Sequence, residues 1–203
     1  MTLPRALVLT LAFGSFAFGA VLFTDGTDRG SGEVFLSMPG ASSQQFDLSG
    51  ASILDSMTIS AWSGGSGPSA LSWTISTNPP GGGGILDSGS SAATNVFNFV
   101  SGTGFNVYNT TASLPGIALA AGDYWLTLTS SNASTAYWGT TNPTGPTLGT
   151  ETSGDGVTWA PDIANLVLEL DGSASGVPEP GTLGLLGLSL AGLGFLRRKS
   201  FRA

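Results

Sequence analysis

Asp25-Gly26-Thr27-Asp28, with a third carboxylate at Glu33, gathers hard oxygen donors within nine residues, the ligand type that an extracellular calcium ion takes. Asp155-Gly156 is a second acidic turn of this kind. Neither stretch has the spacing of a known calcium loop, so acidic turns facing solvent are the competing reading. No cofactor is expected, and calcium is the cation to test. Carboxylates are also the raw material of a glycosidase, which needs two of them several ångströms apart. Most of those present stand where an Asp caps a turn: Asp87 before Ser88-Gly89, Asp123 after Gly122, Asp171 before Gly172. The chain has no histidine and no cysteine, which removes the usual general base, the Ser-His-Asp arrangement, imidazole and thiolate metal sites, and disulfides. No catalytic residue is assigned, and an enzyme is not expected.

Tryptophan offers a second kind of chemistry, since an indole at the surface has an apolar face and a polar tip. Trp62, Trp138 and Trp159 border Gly/Ser-rich stretches and are the candidates for stacking on a glycan. Trp73 and Trp125 lie inside alternating segments; Trp125 shares parity with Thr127 and Thr129, which predicts an outward position.

The elements that must hold these side chains are short and period-two. Met57, Ile59 and Ala61 alternate with Thr58, Ser60 and Trp62, and the same pattern recurs at Leu71/Trp73/Ile75, Phe97/Phe99, Phe105/Val107, Tyr124/Leu126/Leu128 and Leu166/Leu168/Leu170. Turn signals such as Asn78-Pro79-Pro80-Gly81 and Asn142-Pro143 separate them, and the shortage of Lys, Glu and Arg disfavours long helices. Residues 63–68, 79–84 and 140–156 carry too few apolar side chains for strands and are expected to be surface loops. The expected fold is all-β, an antiparallel β-sandwich of jelly-roll-like form over residues 20–171.

Charge is distributed unevenly along the chain. Between Ala20 and Gly176 there are twelve carboxylates and one base, Arg29, a net charge of −11. Such a surface repels phosphate backbones, so nucleic acid is excluded as a partner. The remaining bases sit at the two ends: Arg5, and Arg197, Arg198, Lys199 and Arg202.

Residues 1–19 read as a signal peptide, with Arg5 ahead of an apolar run from Ala6 to Phe18 and small residues Ala17 and Gly19 before the cut. Cleavage is placed after Gly19, with the Sec machinery and signal peptidase as partners. At the other end, residues 172–181 form a flexible spacer that includes Pro178, Glu179 and Pro180, two prolines that hold the chain extended. Residues 182–196 form an apolar, glycine-interrupted helix. At ~1.5 Å per residue it covers roughly 22 Å of a core about 30 Å thick, short for a permanent span. The basic tail 197–203, with Arg197, Arg198 and Lys199 at its head, places that end in the cytoplasm.

The run Val177-Pro178-Glu179-Pro180-Gly181-Thr182, followed by a Gly/Leu-rich segment and Arg197-Arg198-Lys199, resembles the PEP-CTERM sorting domain of Gram-negative bacteria. Phe46-Asp47-Leu48-Ser49, Gly122 to Leu128 and Val157-Thr158-Trp159 are similar to the β-rich ectodomains attached to such tails. The resemblance implies recognition of Pro178, Glu179 and Pro180 by an exosortase, a membrane-bound transpeptidase-like enzyme that cuts near the motif. It also implies a host that makes exopolysaccharide. The expected function is that of a non-enzymatic surface or extracellular-matrix protein, tethered to the inner membrane in transit and associated with exopolysaccharide or biofilm. The alternative is a carbohydrate-binding module with a specific glycan.

Overall fold

Alternation with one apolar face leaves each segment unable to hide that face alone, and in a chain without cysteine the only remedy is sheet against sheet. The computed structural model describes residues 19–35, 40–130, 136–141, 150–153, 157–162, 165–175 and Ser189, and of residues 29–35, 150–152 and 162 the backbone alone. Its strands are β1 (Ala20–Thr24), β2 (Asp28–Phe35), β3 (Ala41–Leu48), β4 (Ser52–Ser63), β5 (Ala70–Ser76), β6 (Ile85–Val100), β7 (Asn106–Leu119), β8 (Gly122–Ser130), β9 (Ala136–Thr141), β10 (Thr150–Ser153), β11 (Ala160–Asp162) and β12 (Leu168–Ala174).

All pairings are antiparallel, and they join into one sheet in the order β1-β12-β4-β7-β6-β5-β8-β3-β10-β11, with β9 bridging β2 and β4. The sheet curls at β6. Its residues from Ile85 to Ala92 pair with β5, and those from Ala93 to Val100 pair with β7. This divides the sheet into a first arm (β1, β12, β4, β7, with β9 and β2) and a second arm (β5, β8, β3, β10, β11). The two predicted sheets are therefore halves of one curled antiparallel sheet.

The arms share one core. Met57, Ile59 and Ala61, Leu71, Trp73 and Ile75, Leu126 and Leu128, and Leu166, Leu168 and Leu170 are buried in a single cluster, as the alternation predicts. Phe23 of the first arm meets Phe46 of the second at a ring-centroid distance of 6.0 Å. The Leu166 N–H donates to Gln44 Oε1 at 2.8 Å, another link between the arms. Full burial of a Leu, Ile or Met contributes about 1.5–3 kcal/mol each, and that term replaces the disulfides the chain lacks.

Three expectations are corrected. Phe97 is exposed and Phe99 half-buried because a register shift between them bulges β6 and breaks the alternation. Thr140 and Thr141 complete β9 and are buried, and Thr150–Ser153 is a strand paired with β3, so the stretch 140–156 is not simply a loop. β12 runs on to Ala174, so the first residues of the predicted spacer pair with β4. The predicted loops at 63–68 and 79–84 do separate strands, except that Ser63 is the last paired residue of β4. The signal-peptide residues 1–18, the Pro178-Glu179-Pro180 motif, the apolar segment 182–196 apart from Ser189, and the basic tail 197–203 lie outside the described residues. Among the described residues, no helix is long and apolar enough to cross a membrane.

Candidate functional site

Trp62 and Trp138 are fully buried, which corrects their assignment as glycan platforms. Parity turns Trp62 away from the core side of β4, with β9 paired beside it in the ladder and β2 paired beyond β9. Its indole N–H donates to Asp28 Oδ2 at 2.6 Å, and the Ser60 hydroxyl donates to the same oxygen. Trp138 belongs to the core and donates its N–H to the Val167 carbonyl at 2.7 Å. Trp125, expected to face outward, is 8% exposed. Trp159 is half-buried, the one member of the predicted trio at the surface.

Trp159 stands in a groove of about 490 Å³ on the second arm, with Pro79, Pro80, Thr74, Ser76 and Thr127 among its walls. The wall is built by the turn between β5 and β6. The Gly82 N–H donates to the Pro79 carbonyl at 2.9 Å, and the Thr77 N–H to the Gly84 carbonyl at 3.0 Å. Gly81 sits at φ +81°, a backbone conformation open to glycine, and a Cβ there would lie 4.0 Å from Trp159 Cδ1. Among the described residues, no ionisable side chain lines the groove. It offers an aromatic plate, proline rings and hydroxyls, which suit binding.

The acidic loop divides into two environments. Asp28 accepts at Oδ2 from two donors, the Ser60 hydroxyl and the Trp62 indole N–H, and so ties the start of β2 to β4. A cleft of about 300 Å³ beside it is lined by Thr27, Thr58, Asn98, Asn109 and Glu169. Asp25 anchors its N–H on the Leu168 carbonyl at 2.8 Å and hydrogen-bonds the Asn165 side chain, while its Oδ2 is buried without a hydrogen-bond partner. The Glu33 side chain and the Asp155-Gly156 turn lie outside the described parts. Among the described residues, no group of three acidic, His or Cys side chains could hold a metal ion. The register also sets Asp47 opposite Asp123 at the exposed end of β3 and β8, a like-charge pair that sequence separation conceals.

Burial raises the Asp25 carboxyl above its ordinary 3.8, partly opposed by the Asn165 hydrogen bond. A raised carboxyl favours the folded state below the unfolded value, and that contribution is lost as pH rises through the folded value. Urea midpoints of the wild type should therefore fall as pH rises from about 4 toward neutrality, more steeply than those of Asp25→Asn. Parallel pH profiles for the two proteins would contradict this.

Residues 176–199 match the model of the PEP-CTERM protein-sorting motif, a span that includes Pro178, Glu179, Pro180, Arg197, Arg198 and Lys199. The tail is a PEP-CTERM protein-sorting motif. A PEP-CTERM tail implies an exported protein that is sorted by an exosortase and anchored in the membrane in transit. The search of curated proteins finds no match to this chain. The motif covers the PEP-CTERM protein's tail alone, so the role of the curled sheet has to be argued from its own surface.

Proposed function

We propose that this PEP-CTERM protein is a non-enzymatic surface or extracellular-matrix component whose jelly-roll-like body is delivered to associate with exopolysaccharide. Residues 1–19 direct export, the segment 182–196 holds the body at the inner membrane, and exosortase cuts near Pro178-Glu179-Pro180, leaving the body at the cell surface or released. The sorting motif at 176–199 is the observation that carries this reading. The absence of histidine and cysteine and the acidity of the body agree with it. The second reading, a carbohydrate-binding module with a definite ligand, is favoured by the Trp159 groove.

Intact-mass measurement on protein from the native host tests the first reading at both ends. The expected mature chain begins at Ala20 and lacks Arg197 to Ala203. A mature chain that keeps Arg197 to Ala203 would replace exosortase processing with a plain membrane anchor.

A further inference from the structure

We propose that the outer face of the second arm is a continuous track for an uncharged polysaccharide, running from Trp159 across β5 and β8 to the edge of β6. The proposal rests on the exopolysaccharide reading above and adds the glycan class and the residues that take it.

Continuity comes from shared walls. The Trp159 groove and a second depression of about 270 Å³ have Thr74 and Thr127 in common. That depression in turn shares Trp73, Ser88 and Gly89 with a third, of about 400 Å³, at the edge of β6. Gly89 lies opposite Trp73 in the ladder and leaves room for its ring on the core side, because a Cβ there would lie 2.7 Å from Trp73 Cζ2.

The floor of the track is set by strand register. Leu71, Trp73 and Ile75 face the core, so Ser72 and Thr74 face outward. Thr74 lies opposite Ser88 on β6 and Thr127 on β8; Ser72 lies opposite Ser90 and Thr129. Two rows of hydroxyls therefore cross three strands, with about 4.8 Å between neighbours. Hydroxyls rotate to donate or accept, which suits the mixed donors and acceptors of sugar rings. Thr127 spends its proton on Ser43 Oγ at 3.1 Å and so presents an acceptor. Trp159, Pro79 and Pro80 give the apolar surface on which a sugar ring can lie.

Charge selects the class of glycan. Among the described residues lining the three depressions, Asp87 is the one ionisable group, and it lies at the far end. The body carries twelve carboxylates against one arginine, so uronates, sulfates and phosphates approach against its field and meet no cation among the described residues of the track. The outer face of the first arm is different, because Asp28 and Glu169 border its cleft.

The test is affinity electrophoresis of the full chain in detergent micelles, through gels containing dextran, xylan or galactomannan, and through gels containing alginate. Retardation by at least one neutral polysaccharide and not by alginate is expected. Trp159→Ala should weaken it about tenfold, equivalent to one hot-spot contact. The isosteric double variant Thr74→Val/Thr127→Val should also weaken it, with thermal unfolding unchanged for Trp159→Ala as the folding control. Retardation that neither variant alters would overturn the track and leave the exopolysaccharide reading standing. Retardation by alginate alone would overturn the uncharged class. No retardation by any of the four would overturn the track and the exopolysaccharide reading together.

Discussion

Trp62→Ala is expected to lower unfolding stability by about 3–5 kcal/mol, the cost of truncating a buried indole. Trp62 is fully enclosed between Val107 of β7 and Tyr137 of β9, its register neighbours on either side, and Asp28 closes over its N–H. Truncation removes the ring and also takes a donor from a carboxylate oxygen held by Ser60 and Trp62. Trp62→Phe separates the two effects. It retains most of the volume and loses the N–H together with the smaller ring, so about 1–3 kcal/mol is expected. Urea unfolding of the full chain in detergent, with the slope checked for constancy, reads both. A Trp62→Ala midpoint equal to that of the wild type would show that the indole is not enclosed as described. The result bears on glycan binding too: loss of retention in Trp62→Ala would report unfolding, whereas Trp159→Ala tests a surface contact.

Gly172→Ala is expected to cost about 3 kcal/mol, at the upper end of what overpacking does. A Cβ at Gly172 would stand 1.9 Å from the Ile53 carbonyl oxygen and 2.9 Å from Leu22 Cδ1. The first of these is backbone of β4, fixed by its ladder, so it cannot swing aside as the Leu22 side-chain tip can. Gly172 also sits where the register between β12 and β4 shifts. Gly50→Ala is the control, because nothing lies within 4 Å of a Cβ there. It should stay within about 0.5 kcal/mol of wild type. Equal thermal midpoints for Gly172→Ala and Gly50→Ala would contradict the close approach of β12 to β4.

Particular residues show how far linear reading reached into the fold. Leu71, Trp73 and Ile75, or Leu166, Leu168 and Leu170, announce a buried face because strand geometry alone puts every second side chain on one side. Parity cannot say whether the opposite side is wet. Trp62 and Trp125 have outward parity and are nonetheless buried, and Trp62 meets the Asp28 carboxylate. Asp28 opens β2, whose Asp28-Arg29-Gly30-Ser31-Gly32-Glu33 shows no apolar alternation and gives no strand signal. An acid at 28 matched to a Ser and a Trp at 60 and 62 is the pairing that sequence reasoning missed. Only contact across more than thirty residues reveals it. Phe97 failed for a local reason, since one bulge reverses the face of everything beyond it.

The sorting motif was legible through its resemblance to the PEP-CTERM tail, carried by the order of Pro178-Glu179-Pro180, the apolar segment and the basic cluster, and the family model matches residues 176–199. The sequence by itself also determined that the body is β-rich, acidic and without imidazole or thiol chemistry, since those follow from composition and local backbone preference. Which tryptophan meets solvent, which carboxylates face each other, and where hydroxyl rows join into one surface were decided only by the tertiary structure. Each depends on strand pairing between distant segments, and on the curl at β6 that sets one arm of the sheet against the other.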